Sequence, residues 1–270
     1  PGYDLSAEVR ELVAECYIGG VMLSSRNMRD LHQIGNLTSR LQKLATSTGA
    51  EVPLLIAVDQ EGGYVARLKG PHAFPGNMAL GAAGSPELTQ QVATAMGREL
   101  RAVGINMNFA PVLDVNSNPA NPVIGVRSFG EDPEQVAALG KAFIAGLHEA
   151  GILATGKHFP GHGDTSVDSH IALPSVAHPR SRLDEVELVP FRAAIATGID
   201  AIMTAHVTFP AIESEPGLPA TLSKKVLTGL LREELGFSGL IITDAMEMGA
   251  ITENFGLAEA SVRAVQAGAD

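Results

Sequence analysis

Short apolar runs alternate with longer amphipathic stretches along the whole chain, and this alternation limits its possible folds more than any other feature. The apolar runs are rich in β-branched residues or bounded by glycine or proline, which is typical of strands buried on both faces of a parallel sheet. The stretches between them have helical periodicity, and several begin with Pro-Glu and end at glycine. We predict strands at residues 18–23, 53–58, 105–109, 152–156, 201–205 and 240–243. We predict helices at residues 6–16, 28–48, 86–103, 133–150, 182–197, 223–235 and 257–267.

This order of elements indicates parallel βα units, because strands and helices alternate rather than occurring in blocks. We predict an α/β fold of the (β/α)8 TIM-barrel type, built as a single domain over residues 1–270. Only six strands are recognisable, so the first and last strands are expected to lie outside the given sequence or to be altered within it. An open doubly wound sheet is the alternative, since it accommodates six strands without further assumption.

Composition excludes several functional classes. The net charge is −11, with 30 acidic and 19 basic residues and no run of Lys or Arg, which argues against binding to nucleic acid or an anionic membrane surface. A single cysteine, Cys16, excludes an internal disulfide framework and a thiolate zinc site. No apolar stretch approaches the roughly 18 residues of a membrane span.

Ionisable residues cluster where the predicted strands end. In a barrel the carboxyl ends of all strands face one rim, and that rim is where such folds bind and convert substrates. One aspartate there would be unremarkable as a helix cap, but five strands that each deliver an ionisable group are not explained by capping alone. The residues in these positions are Asp59, Asp114, Lys157, His158, His206 and Asp244.

The densest polar segment follows the fourth predicted strand. One Lys, three His and two Asp lie within fourteen residues, with glycine and proline between them, which predicts a catalytic loop mounted on a rigid strand. A metal site is an alternative, because the ligand types in this loop fit one. Its ligands would be His158, His162, Asp164 and His170. No dinucleotide or phosphate-loop motif supports a nucleotide site. We predict that neither a metal nor a cofactor is needed.

The same segment, Lys157-His158-Phe159-Pro160-Gly161-His162-Gly163-Asp164-Thr165 followed by Asp168-Ser169-His170, resembles the signature of bacterial family 3 glycoside hydrolases of the β-N-acetylglucosaminidase type. Three further blocks are similar and occur in the family's order. They are Val58-Asp59-Gln60-Glu61-Gly62-Gly63, Asn121-Pro122-Val123-Ile124-Gly125-Val126-Arg127-Ser128-Phe129-Gly130 and Thr243-Asp244-Ala245-Met246-Glu247-Met248. The resemblance implies a (β/α)8 catalytic domain.

The resemblance also implies roles for individual residues. Asp244 would be the nucleophile that forms a glycosyl-enzyme intermediate, and His170 would be the general acid/base with Asp168 as its partner. His206 would line the same site or orient Asp244, unless it is a buried structural histidine. Asp114 and Glu61 are expected to support the site rather than to react. Sugar-binding positions would be Asp59, Arg67, Arg127, Lys157 and His158.

Two positions depart from the family pattern. Tyr64 stands where relatives commonly carry Arg, and Val126 stands where Thr is frequent. Neither belongs to the catalytic trio that the resemblance implies, but Tyr64 could alter a contact at the rim of the site and so the leaving-group preference.

We therefore expect a retaining exo-β-N-acetylhexosaminidase that removes terminal β-linked N-acetylglucosamine. Its substrate would be a saccharide, either an N-acetylglucosaminyl muropeptide from peptidoglycan or a chito-oligosaccharide. A β-glucosidase, a glycoside phosphorylase and a non-catalytic saccharide-binding protein are the alternatives. The oligomeric state stays open, and so does the compartment, with the bacterial cytoplasm slightly favoured over export.

Overall fold

The computed structural model describes residues 2–48, 52–70 and 72–270 of the chain. Six of its strands form one parallel sheet in the order β1-β2-β5-β6-β7-β8, and the other two form a small antiparallel hairpin, β3-β4. The strands are β1 (Gly20–Leu23), β2 (Leu55–Val58), β3 (Gln60–Gly62), β4 (Val65–Ala66), β5 (Met107–Asn108), β6 (Leu153–Phe159), β7 (Ala201–Thr204) and β8 (Leu240–Thr243).

The strand order decides between the two predicted architectures. The strands of the large sheet lie side by side in the order in which they occur along the chain. A doubly wound sheet would instead reverse this order at a switch point. The sheet curls into an incomplete TIM-type barrel, which confirms the predicted α/β barrel class. That residues 1–270 form one domain stays a prediction.

Helices follow the strands and cover the outside of the sheet. Several begin as predicted, with Ser85 and Asp132 capping α4 and α5 through their side-chain oxygens and proline at the first helical position. The α-helices are α1 (Ala7–Ala14), α2 (Leu31–Thr46), α3 (Asn77–Ala83), α4 (Pro86–Ala102), α5 (Pro133–Glu149), α6 (Arg180–Glu185), α7 (Leu188–Ala196), α8 (Gly249–Thr252) and α9 (Leu257–Ala267). Within the described ranges, three short 3-10 helices (Ser25–Asn27, Gly125–Arg127, Ala220–Leu222) and a π-helix (Lys225–Glu234) complete the set.

Some predicted elements differ from the observed ones. The single helix predicted at 182–197 is two helices, α6 and α7, because a continuous helix would place Pro190 in its interior, where proline has no N–H to donate to the carbonyl of Val186. The strand predicted at 105–109 is only two residues long, and the strand predicted at 152–156 continues to Phe159. Lys157 and His158 therefore lie in β6 rather than after it.

Helices α4 and α5 make a close contact at two glycines. A Cβ on Gly146 would lie 2.4 Å from the carbonyl oxygen of Gln90 and 2.7 Å from Cβ of Ala93. A Cβ on Gly97 would lie 2.6 Å from Cβ of Ala150. The small residues let the two helices approach closely over a buried apolar interface.

No helix within the described residues combines the length and apolar composition that a bilayer crossing requires.

Replacing Gly146 with alanine is expected to lower the free energy of unfolding by about 1–3 kcal/mol, because the new methyl group overpacks the α4–α5 interface. Gly35 in α2 provides the control, since a Cβ there would meet no atom within 4 Å. Gly35→Ala is expected to raise the free energy of unfolding by about 0.5–1 kcal/mol. Urea unfolding of both variants measures the difference, and changes of the same sign would contradict the packing described.

Candidate active site

All eight residues predicted to form the site line a single cavity of about 670 Å³ at the carboxyl end of the strands. They are Asp59, Arg67, Arg127, Lys157, His158, Asp168, His170 and Asp244. A larger cavity of about 990 Å³ lies between the π-helix and α9, and none of the eight lines it. Distant stretches of the chain therefore converge on one cavity that is lined by many ionisable side chains.

A buried cluster of charges forms one wall of the cavity. Nζ of Lys157 lies 2.7 Å from Oδ1 of Asp59 and 2.8 Å from Oε1 of Glu61. Arg127 donates to both oxygens of Glu61, through Nε at 2.9 Å and Nη2 at 2.8 Å. The Lys157 and Glu61 side chains are each only 2% exposed, so water does not screen this attraction.

The cluster keeps its members charged. Burial alone would raise the pKa of Glu61, but Lys157 and Arg127 outweigh it and lower that pKa to about 2. Burial would likewise lower the pKa of Lys157, but Glu61 and Asp59 raise it above its usual value. At neutral pH the cavity wall therefore presents a fixed ammonium and guanidinium beside an ionised carboxylate.

Lys157 and His158 both face the cavity although they are consecutive residues of a strand. Side chains normally alternate between the two faces of a sheet. The pairing of β6 with β7 shifts between Lys157 and Phe159, where one extra residue is accommodated, and this irregularity redirects the side chains.

Asp114 forms hydrogen bonds with His158 in β6 and with His162 in the loop that follows it. Oδ1 of Asp114 accepts the backbone N–H of His158 (3.2 Å) and of His162 (2.7 Å), and Oδ2 lies 2.7 Å from Nδ1 of His158. Burial would raise the pKa of Asp114, but its interactions with the two histidines lower it. Asp114 is buried and does not line the cavity, so its supporting role stays a prediction that agrees with this position.

The second histidine–carboxylate pair is exposed. Oδ1 of Asp168 accepts the backbone N–H of His170 (2.9 Å) and lies 2.7 Å from Nδ1 of its ring. The His170 side chain is 61% exposed, in contrast to 6% for His158. Burial would raise the pKa of Asp168, but the hydrogen bonds from His170 lower it. Two backbone bonds tie this loop to the segment after β8, from Gly249 N–H to the carbonyl of His170 (3.3 Å) and from Ala250 N–H to that of Ser169 (3.2 Å).

Asp244 follows β8 directly and is partly exposed in the cavity. Its Oδ1 accepts the backbone N–H of Ala245 at 2.7 Å. Burial would raise the pKa of Asp244, but its interactions with His158, His206 and Lys157 and the Ala245 N–H lower it, so the carboxylate is ionised at neutral pH. An ionised carboxylate with a free oxygen can act as a nucleophile or stabilise a cation.

His206 contacts the backbone beside Asp244 rather than lining the cavity. Its buried ring lies with Nε2 at 3.0 Å from the carbonyl oxygen of Ala245 and Nδ1 at 2.8 Å from Oγ1 of Thr221. Because a carbonyl can only accept, Nε2 carries the proton. His206 is therefore a buried histidine that contacts the residue after Asp244, and an orienting effect on Asp244 stays a prediction.

The structure does not assemble the alternative metal site. Each of its four candidate ligands has a different set of partners, and the described residues contain no group of three or more His, Cys, Asp or Glu arranged to hold a metal. The separate contacts are His158 with Asp114, His162 with Thr165 and Ser169, Asp164 with His178 and Ser117, and His170 with Asp168.

Arg67 lies in the cavity, and the structure shows no ion pair between it and the residues described. Its backbone N–H donates to Oε1 of Gln60 at 2.8 Å, which fixes the end of the β3-β4 hairpin. Sequence reasoning did not place the apolar lining in the site, although its members lie in or beside predicted strands. These residues include Met22, Phe109, Met203 and Ile242.

Comparison with known proteins identifies the family. Residues 2–270 match the family described as the glycosyl hydrolase family 3 N terminal domain. The chain is 44% identical over 98% of its length to beta-hexosaminidase A of Pseudoalteromonas piscicida, of which it covers 47%. It superimposes with a TM-score of 0.97 at 56% identity on a family 3 beta-N-acetylglucosaminidase from Paenibacillus sp. str. FPU-7, covering all of this chain and 51% of that one.

A third similar protein was solved with a ligand. NagZ from Neisseria gonorrhoeae, in complex with N-trifluoroacetyl-D-glucosamine, aligns with all of this chain and 77% of that one, at 34% identity and a TM-score of 0.88. The chain thus spans about half the length of the Pseudoalteromonas and Paenibacillus proteins. It belongs to the glycosyl hydrolase family 3 N-terminal domain family, as the sequence motifs predicted.

The charge cluster predicts how stability changes in acid. A carboxyl whose pKa is lowered in the folded state stabilises the fold above its unfolded pKa, and that stabilisation is lost as the pH falls through the folded pKa. For Glu61 the loss is expected between pH 4.5 and about 2. The free energy of unfolding of Glu61→Gln should therefore fall less over this pH range than that of the wild type, by on the order of a few kcal/mol.

Urea unfolding at a series of pH values measures this slope. Glu11→Gln, at an exposed glutamate of α1, is the matched control and should follow the wild-type curve. A Glu61→Gln curve as steep as that of the wild type would contradict the buried-charge assignment.

Proposed function

We propose that this chain carries the active site of a retaining exo-β-N-acetylhexosaminidase and that residues 1–270 act as one catalytic domain. The observation that carries the proposal is the convergence of Asp244 with the Asp168–His170 pair on one cavity. The two loops come from separate strands and are joined by the backbone bonds of Gly249 and Ala250. A carboxylate and an imidazole can then act on the same glycosidic bond.

In the first step a carboxylate oxygen of Asp244 attacks the anomeric carbon, and the bond from that carbon to the leaving-group oxygen breaks. His170 donates its proton to that oxygen, so the leaving group departs as an alcohol. In the second step neutral His170 takes a proton from water, and the resulting hydroxide attacks the anomeric carbon. The bond to Asp244 breaks, the carboxylate is restored, and two inversions give net retention.

The environments of the two groups suit these different roles. The lowered pKa of Asp244 keeps it ionised and ready to attack. His170 is exposed at the cavity mouth, where a leaving group can reach its ring and water can enter after departure. Asp168 accepts from Nδ1, so it leaves Nε2 for proton transfer and stabilises the imidazolium that forms.

The polar wall suits the hydroxyl groups of a sugar. Asp59 can accept hydrogen bonds from hydroxyls, while Lys157 and Arg127 can donate to them, at roughly 1.5–3 kcal/mol for each charge-assisted bond. We propose that Arg67 and His158, which line the same cavity, also form hydrogen bonds with sugar hydroxyls. The ligand of the Neisseria protein and the names of the other relatives favour N-acetylglucosamine. We propose muropeptides or chito-oligosaccharides as its source.

Asp244→Ala is expected to lower kcat on an aryl N-acetyl-β-glucosaminide by several orders of magnitude, because the covalent path is lost. Glu247→Gln, an exposed carboxylate of the same cavity, is the control and should keep most of the activity. A 2-fluoro glycosyl fluoride should leave an adduct on Asp244 that mass spectrometry detects. Full activity of Asp244→Ala would exclude this nucleophile, and binding without any turnover by the wild type would favour a saccharide-binding protein.

The same assay separates related activities. Hydrolysis of aryl N-acetylglucosaminide in preference to aryl glucoside is expected, since a β-glucosidase would show the reverse. Added phosphate should neither accelerate turnover nor yield a sugar 1-phosphate, the product that identifies a phosphorylase.

His170→Ala is expected to slow hydrolysis most for substrates with poorly acidic leaving groups, by about 10²–10⁴-fold, because these need a proton donor most. Asp168→Asn should shift activity in the same direction. The control is His178→Ala, which removes a similar ring paired with Asp164 that does not line the cavity. Rates measured across a series of aryl leaving groups decide the point, and a loss independent of leaving-group acidity would argue against His170 as the acid.

A further inference from the structure

The buried His158 ring is held between two neighbours of opposite hydrogen-bonding character. Oδ2 of Asp114 lies 2.7 Å from Nδ1, and Nη2 of Arg127 lies 3.5 Å from Nε2. An ionised carboxylate can only accept hydrogen bonds, and a guanidinium can only donate them. Nδ1 must therefore carry a proton, while a proton on Nε2 would oppose an N–H of Arg127.

We propose that Asp114 is a positioning residue that fixes the tautomer of His158 and makes its Nε2 a hydrogen-bond acceptor for one hydroxyl of the bound sugar. The tautomer follows from contacts within the protein alone. The sugar hydroxyl as the donor rests on the function proposed above.

The cavity has a use for such an acceptor. Lys157, Arg127 and Arg67 bring only donors to it, so a sugar hydroxyl can accept from them. A hydroxyl also has a hydrogen to donate. Both oxygens of Glu61 are already bonded by Arg127 and Lys157, while Asp59, bonded by Lys157 through Oδ1, keeps acceptor capacity for one hydroxyl. Nε2 of His158 supplies a second acceptor at the cavity surface, since Nδ1 is committed to the buried Asp114.

Asp114→Asn offers a test with a defined geometry. Oδ1 of Asp114 accepts two backbone N–H groups, from His158 and His162, and these donors cannot change. The amide oxygen of asparagine must therefore occupy this position, and its NH2 group must face Nδ1 of His158. Nδ1 then has to accept, so the proton moves to Nε2 and the cavity loses this acceptor.

The first measurement is independent of activity. Nitrogen-15 NMR of the histidine side chains, with His158→Asn to assign the signal, should show a protonated Nδ1 and a bare Nε2 in the wild type at neutral pH. Asp114→Asn should reverse the two. Ser128→Ala is the matched control, because it removes a 2.6 Å bond to the backbone carbonyl of Asp114 and leaves the carboxylate intact. A protonated Nε2 in the wild type, or an unchanged pattern in Asp114→Asn, would overturn the proposal.

The second measurement tests the ligand. Aryl N-acetyl-β-glucosaminides in which fluorine replaces the 3-, 4- or 6-hydroxyl cannot donate at that position. In the wild type one analogue should lose about tenfold or more in kcat/KM relative to the parent. Asp114→Asn should reduce this penalty to a few-fold, whereas Ser128→Ala should retain it. Equal penalties in all three proteins would refute the acceptor role.

The outcomes separate the two proposals. If the parent substrate is not hydrolysed at all, the proposed function fails, while the NMR result still decides the tautomer. If Asp114→Asn does not fold, the wild-type spectrum and the wild-type analogue series still support or overturn the inference.

Discussion

The ion pair between Lys157 and Glu61 is the contact on which the site depends. Removing one partner of such a buried pair leaves an uncompensated charge, at a cost of about 3–5 kcal/mol. The pair joins β6 to the β3-β4 hairpin, and Arg127 and Asp59 extend it to the loop before α5 and the end of β2. Three distant stretches of the chain are thereby held at one rim of the barrel, so the charges that face the cavity also determine its shape.

The site contains two Asp–His pairs that differ in burial. Asp114–His158 is enclosed, with Nδ1 bonded to Asp114 and Nε2 facing Arg127 at 3.5 Å, which holds the ring in one orientation. Asp168–His170 is exposed and bonded at Nδ1. A group that recognises a ligand gains from being fixed, whereas a group that transfers a proton must exchange it with water. Burial, rather than residue type, therefore separates the role proposed for each histidine.

Sequence predicted the fold where a pattern repeats and the site where residues cluster. Six buried strands leave a periodic apolar signal, and ionisable residues at their ends fall on one rim by the geometry of a barrel, so all eight predicted residues share one cavity. The β3-β4 hairpin was missed because Gln60, Glu61 and Gly62 have no apolar alternation. The continuation of β6 to Phe159 was missed because Lys157 and His158 look like loop residues, although buried charge partners stabilise them inside a strand. Such partners come from distant segments, and local patterns do not contain them.

The glycine-rich stretch between His158 and His170 connects the buried pair to the exposed one. It leaves the enclosed end of β6 and reaches the exposed mouth of the cavity within twelve residues, and it packs closely against the preceding loop. A Cβ on Gly163 would lie 1.8 Å from the carbonyl oxygen of Val115, the residue after Asp114, so only glycine allows this approach. His162 then anchors the stretch, with its ring nitrogens bonded to Thr165 and Ser169 and its pKa lowered by burial to about 4. Because the His162 ring is neutral and both of its nitrogens are hydrogen-bonded, it adds no charge between the buried and exposed Asp–His pairs. Its bond to Ser169 fixes the loop up to the residue before His170.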